Sequence, residues 1–208
     1  MPLGDEPQPH SPEDSRRDAI LRLAKRRFMT EGYAGARMEP IAREAGVSTA
    51  TLYGYFPGKA ELFTAVIDDA AEDFGRQMDH VRIIAGSARE QLMVFVTAYA
   101  DFMSDPFVRS VFRLVVAERP RFQAVATRFF ERGRSDFGGV LIKALRALCD
   151  KGELKIQKPS WAAGHLMGMV EHPVFFVPLV TGDDVRVKRA NAQVAEDAVE
   201  TFLARYGA

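Results

Sequence analysis

The sequence predicts an all-α protein, and three observations carry that reading. Apolar residues recur at helical spacing along most of the chain. Ser, Asp, Pro and Gly stand where such helices should start and stop. No stretch shows the alternation or the turn signals of a β-hairpin. With 208 residues, 47% hydrophobic and 27% charged, the chain can bury a substantial core, and one or two domains are expected.

The first dozen residues are polar and contain Pro2, Pro7, Pro9 and Pro12. They lack the apolar centre of a signal peptide, so residues 1–13 are predicted to form a disordered arm. A first helix is predicted from about Asp14 to Thr30, with Ile20, Ala24 and Phe28 inward. Gly32 should end it and let Tyr33 pack back. Ile41, Ala42 and Ala45 form the apolar face of a short second helix, with Pro40 tolerated among its early residues. Gly46 suits the left-handed residue that stops it. Val47 can tuck into the core, and Ser48 is a good N-cap for a third helix over about Thr49–Phe56. That helix is too short to stand alone and must pack on its neighbours. It exposes Thr49, Thr51, Tyr53 and Tyr55 where surface helices usually carry Lys and Glu. A short helix, a glycine turn and a capped, hydroxyl-rich helix make a helix-turn-helix built to enter the major groove of DNA.

The same residues carry a family resemblance. Ile20, Ala24, Phe28, Gly32-Tyr33, Ile41-Ala42, Ala45-Gly46-Val47-Ser48, Leu52-Tyr53, Tyr55-Phe56 and Lys59 resemble the N-terminal domain of the TetR family of bacterial transcriptional regulators. The Leu52-Tyr53-x-x-Phe56-x-x-Lys59 run after Ala-Gly-Val-Ser is its most specific part. The resemblance covers about Arg16 to Val66, roughly a quarter of the chain. Arg27 departs from the pattern by standing at a usually apolar position. Met38-Glu39-Pro40 is an unusual lead into the second helix, and Gly58 replaces a usual Ser cap. Farther on, Val115–Phe122, Phe130–Gly133 and Gly152-Glu153-Leu154 resemble, more loosely, the regulatory domain of the AefR-like subset.

Charge distribution agrees. The net charge is zero, yet Arg16 to Lys59 holds nine basic and four acidic residues, a local excess of +5 on an otherwise acidic body. That is the footprint of a module that docks on phosphate. The HTH domain is assigned to residues 14–58 and a ligand-binding and dimerisation domain to 59–208.

In the second domain Pro57-Gly58 makes a turn, and a helix should run from Lys59 to about Arg82 with Leu62, Phe63, Val66 and Ile67 on one side. Gly86-Ser87 precedes a helix over about Ala88–Ser104. Asp105-Pro106 reads as an N-cap with proline at the first helical position, opening a helix to about Ala117. Pro120 should open the next, whose apolar face continues from Phe122 to Leu148, with Gly133 and Gly138-Gly139 able to bend it. Lys151-Gly152 stops it. Pro159-Ser160 starts a further helix that Pro173 should kink or break. After the turn Gly182-Asp183-Asp184, the last helix is expected over about Val185–Tyr206.

The resemblance implies roles. Arg37, Ser48, Thr51, Tyr55 and Lys59 are the expected phosphate contacts. Thr49, Ala50 and Tyr53 are the expected base-edge contacts, with Ala50 able to touch a thymine methyl. Each of these residues could instead be a cap or a solvated side chain, and for Ser48 the cap is the stronger reading. No Asn, Gln or Arg lies on the reading helix, so specificity should lean on apolar contacts, water and DNA shape. A homodimer on a double-stranded palindromic operator is implied, with Trp161, Leu166, Met167, Val194, Ala198 and Phe202 as interface candidates. The alternative is that these residues only close the monomer's own core. A small hydrophobic effector is also implied, with Phe102, Phe112, Phe137, Leu141, His165 and Met169 as pocket candidates, although aromatic residues of this kind also fill ordinary cores. Effector binding would repack the bundle, swing the fourth helix and release DNA.

Other chemistry finds little material. There is no G-x-S-x-G, Walker, G-x-G-x-x-G or H-E-x-x-H motif, so an enzyme is not expected. His165 and His172 are two helical turns apart, poor geometry for chelation, and neither a metal nor a cofactor is expected. Cys149 is the one cysteine, read as a buried, inert thiol in a reducing compartment. The apolar run Val174–Val180 is far too short to span a bilayer. A cytoplasmic protein is expected. The rival reading is a ligand-independent, architectural DNA-binding protein, which would need no pocket.

Overall fold

A computed structural model of the chain describes residues 12–79, 86–184 and 189–208. They form helices α1 (Pro12–Gly35), α2 (Met38–Glu44), α3 (Thr49–Tyr55), α4 (Lys59–Asp79), α5 (Ala88–Met103), α6 (Pro106–Glu118), α7 (Gln123–Gly133), α8 (Gly139–Asp150), α9 (Pro159–Glu171), α10 (Val177–Thr181) and α11 (Asn191–Tyr206). Among the described residues there is no strand; one isolated bridge joins Leu154 to Gly207. The all-α reading holds. Of the arm expected over residues 1–13, residues 1–11 lie outside the described residues, and α1 begins at Pro12.

The chain divides into two compact units, up to Asp69 and from Ala70. The division falls inside α4, not at its start near Lys59. The reason is packing: Leu62, Phe63, Val66 and Ile67 on the first half of α4 are buried with the residues of α1 to α3. In the first unit Gly32 has φ +69° and interrupts the α1 helix there, as its lack of a Cβ permits. The chain turns so that Tyr33 stacks on Phe28 at 6.0 Å and meets Phe63 edge-on at 5.3 Å. Burying these rings with Ile20, Leu21, Ala24, Ile41 and Leu52 holds α2 and α3, two seven-residue helices that could not stand alone, against α1.

The second unit is organised around α5 and α11, which pack along one another. The α5 start carries a full capping box. Ser87 accepts from the Glu90 N–H while the Glu90 carboxylate accepts from the Ser87 N–H. The Glu153 carboxylate also accepts from the Ala88 N–H at 2.6 Å. Asp105 caps α6 by accepting from the Phe107 N–H at 2.7 Å, with Pro106 behind it as expected.

Several boundaries differ from expectation. Pro120 does not open a helix; it sits in the turn after α6, and α7 begins at Gln123. The long face from Phe122 to Leu148 is not one α-helix. It passes through a π-helical turn, Arg134–Gly138, placed where glycines loosen the backbone. Pro173 does not end its helix either. The missing N–H is absorbed in a second π-helical turn, His172–Phe176, and the helix continues as α10 to Gly182, which has φ +98°. The last helix starts at Asn191, not at Val185; residues 185–188 lie outside the described residues. The end of the helix expected to reach Arg82 also lies outside them, beyond Asp79. Cys149 is half-buried, not buried.

Pro159 to Thr181 is long and apolar enough, at 23 residues and a mean hydropathy of 1.2, to pass a length test for crossing a membrane. Ala162, Ala163, Leu166, Val170, Val174 and Pro178 along one side are nonetheless buried in the bundle. Its opposite side carries exposed Trp161, Phe176 and Val180.

Candidate DNA-reading helix and effector cavity

The reading helix is set by its caps. Gly46 has φ +67° and ends α2, with the Val47 N–H returning to the Ala42 carbonyl at 3.0 Å. Ser48 then accepts from the Thr51 N–H at 3.0 Å, and its hydroxyl lies 2.8 Å from that of Thr51. Ser48 is thus the N-cap, and Thr51 is partly occupied by it. Leu52 and Phe56 are buried and anchor α3. The outward face comprises Thr49, Ala50, Tyr53 and Gly54, with Tyr53 43% exposed. Gly54 was not among the expected residues. A Cβ there would meet open space, so nothing within the unit requires glycine.

Tyr55 and Lys59 have partners of their own. Tyr55 donates to the Glu13 carbonyl at 3.4 Å, which joins α3 to the start of α1. Lys59 donates to the carbonyls of Ala34 at 3.3 Å and Ala36 at 3.0 Å, and its ammonium lies 4.6 Å from the Tyr33 ring centre. It therefore closes the end of α1, where free carbonyls favour a cation. Arg37 precedes α2 and is exposed. Arg27 stands at a usually apolar position because it serves an ion cluster. It donates to Glu31 and to Glu44, and Arg26 also donates to Glu44 at 2.9 Å. The Arg27 bond is the main cause holding the Glu44 carboxyl below the usual carboxylate range.

In the second unit an aromatic cavity of about 440 Å³ opens among α4, α5, α6, α7, the first π-turn, α8, α9 and the second π-turn. Phe102, Phe112 and Phe137, three of the pocket candidates, line it together with Phe74, Phe129 and Phe175. The rings meet edge-on, Phe74 with Phe102 at 5.1 Å and Phe112 with Phe175 at 4.8 Å, a favourable arrangement for aromatic pairs. The polar liners are Tyr99, Glu171, Ser160 and Arg134. The Tyr99 hydroxyl donates to Glu171. Burial above all, then the Glu171 charge, pushes the Tyr99 phenol far above its ordinary ionisation range.

Three pocket candidates are corrected. Leu141 is fully buried and is not part of the lining. His165 is exposed, with its Nδ1 2.9 Å from the Tyr206 hydroxyl. Met169 lies on α9 away from the cavity, whereas Met167, an expected interface residue, lines it. Leu166, Val194, Ala198 and Phe202 are buried in the chain's own core; of the interface candidates Trp161 is 64% exposed and Met167 is half-buried. One signal for the missed Tyr99–Glu171 pair was legible: Glu171 is the single charged residue from Pro159 to Thr181. Among the described residues no cluster of His, Cys, Asp and Glu has metal-binding geometry.

A capped, outward-facing helix behind a glycine turn, in a three-helix unit, defines a helix-turn-helix DNA-binding protein. The comparisons make the assignment specific. Residues 90–208 match the AefR-like transcriptional repressor C-terminal domain, and residues 20–66 match the bacterial regulatory proteins of the tetR family. The chain belongs to the TetR family of transcriptional regulators, which are DNA-binding proteins and not enzymes. It is similar to the transcriptional activator FasR of Mycolicibacterium smegmatis, 34% identical over 44% of this chain and 42% of that protein. The chain thus spans less than half the length of that relative. It is also similar to the solved flavonoid-responsive regulator FrrA, with TM-score 0.75 and 28% identity over 92% of this chain and 97% of that one. A TetR-family regulator from Mesorhizobium loti shares the fold, with TM-score 0.81 and 24% identity over 96% and 100% of the two chains.

Proposed function

We propose that this protein is a cytoplasmic repressor that binds a palindromic operator as a homodimer and is released by a small hydrophobic effector. The observation that carries the reading is the aromatic cavity of about 440 Å³, a size typical of small-molecule sites. An architectural DNA-binding protein would have no use for it. The flavonoid response of FrrA supports an aromatic effector.

Thr49, Ala50 and Tyr53 are proposed to read base edges, joined by Gly54, whose missing side chain lets the backbone come close. Arg37, Ser48, Thr51, Tyr55 and Lys59 are proposed to hold phosphates. Ser48 and Lys59 do so as the residues that also position the helix ends. The dimer is proposed to form through the exposed side of Pro159 to Thr181, which carries Trp161, Phe176 and Val180. Two reading heads must then sit one DNA turn apart, about 34–36 Å. Phe74 places the second half of α4 in the cavity wall, while the first half of α4 belongs to the DNA-reading unit. An effector that prefers the state unable to span one turn shifts the population away from DNA.

Selection of bound sites from random duplex DNA tests this. The expected winner is a palindrome bound by two protomers, with sequence preference lost in Tyr53→Ala. Weak binding with no preferred sequence contradicts it.

A further inference from the structure

The cavity's polar groups restrict what it can accept. Its walls are mostly apolar and rich in phenylalanine rings, Ser160 and Arg134 stand exposed among its liners, and its hydrogen-bonded polar pair is Tyr99–Glu171. The Tyr99 proton is already committed to Glu171, and the phenol does not ionise near neutral pH, so Tyr99 keeps only its lone pairs for a ligand. An ionised carboxylate accepts and cannot donate. Among the described residues Glu171 has Tyr99 as its hydrogen-bond partner and no basic residue in an ion pair. The pair therefore offers two acceptors, one of them a half-buried carboxylate with no ion-pair partner among the described residues, in a largely aromatic wall. A ligand without a donor would strip water from that carboxylate and return nothing, and an anion would meet like charge. Arg134, the cavity's basic liner, is exposed and offers an anion a solvated partner, weaker than one inside the walls.

We infer that the cavity selects planar aromatic molecules carrying an O–H or N–H donor, neutral or cationic, and discriminates against donor-free and anionic analogues of the same shape. The inference rests on the reading of the cavity as the effector site. Glu171 accepts the ligand's donor through the oxygen not bonded to Tyr99, and Tyr99 holds that carboxylate in place. The surrounding rings supply edge and face contacts to the ligand's aromatic body.

Calorimetric titration of the full-length protein with four flavones, alike except for one ring substituent, provides the test. The substituents are hydroxyl, amino, methoxy and carboxylate, and naphthalene serves as an apolar probe. The hydroxyl and amino compounds are expected to bind at least about tenfold more tightly than the other two, the scale of a hydrogen bond to a charged group. Relative strengths of those two separate a neutral phenol-like donor from an amine as the better class. In Glu171→Gln the preference should shrink to about twofold or vanish, because the amide can turn its own donor toward the ligand. In Tyr99→Phe it should persist, since the carboxylate remains. Thermal unfolding of both variants establishes that they are folded, and the wild-type series decides the matter if one is not. Equal or tighter binding of the methoxy or carboxylate compound overturns the donor rule and leaves the effector site standing. So does failure of all four flavones while naphthalene binds. Failure of naphthalene as well overturns the effector-site reading itself.

Discussion

Glu44 illustrates how single residues set this molecule's behaviour. Its carboxyl is held below the ordinary range chiefly by Arg27, then by Arg26. A carboxyl whose folded pKa is lowered stabilises the fold above its unfolded pKa, and the contribution is lost as pH falls through the folded value. Denaturant unfolding should therefore show the wild type more stable than Glu44→Gln at neutral pH, with the difference closing under acid. A constant difference at all pH values would mean that Glu44 acts by packing. Lys59 is the residue for which sequence reasoning was least complete. The family position suggests phosphate, and the carbonyls of Ala34 and Ala36 that it closes are distant in sequence and invisible to a motif. Lys59→Ala would thus lower stability along with any loss of DNA binding, and Tyr53→Ala is the cleaner probe. Gly54 gives the reverse signature. Gly54→Ala should raise stability by about 0.5–1 kcal/mol, as expected for alanine in a helix, while weakening operator binding. Unchanged affinity in a binding titration would show that DNA does not approach this position.

Among the elements, those with local chemical signals were legible and those shaped by tertiary contacts were not. Gly32, Gly46, Ser48 and Asp105 all stop or cap where the sequence suggested, because each acts on its own turn of helix. The π-helical turns after Gly133 and Glu171 were visible only as glycines and a proline that should disturb a helix. What decides between a break and a bulge is what the freed backbone meets. At the second turn the answer is Arg109. Its side chain is 5% exposed and donates to Asp183 at 2.6 Å, to the Ser104 carbonyl at 2.6 Å and to the Val174 carbonyl inside the turn at 3.3 Å. Arg113 joins the same carboxylate at 2.9 Å. Arg109→Leu should cost on the order of 2 kcal/mol or more by leaving buried carbonyls without a donor, read from the midpoint of chemical unfolding. An effect within a few tenths would mean that the turn holds without it.

On the scale of the whole molecule, burial decided which side of α9 and α10 could meet a partner. Leu166 looked as suitable as Trp161 in sequence, since both are apolar on one helix, but Leu166 is buried while Trp161, Phe176 and Val180 are exposed. Val180→Glu should convert the proposed dimer to monomer by sedimentation, with little loss of fold, and weaken operator binding at the same time. A variant that remains dimeric would place the interface elsewhere. The cavity was half legible: Phe102, Phe112 and Phe137 were foreseen, while its carboxylate needed the fold to bring Glu171 to Tyr99. Occupancy of this cavity is proposed to govern DNA binding. The most direct measurement is fluorescence anisotropy of a selected operator titrated with protein, with and without the hydroxyflavone. Two protomers on one duplex, a loss of affinity on adding the compound, and no such loss in a variant that cannot bind it are the predicted result. Operator affinity that is indifferent to a compound demonstrably bound in the cavity would mean that the cavity does not control DNA binding.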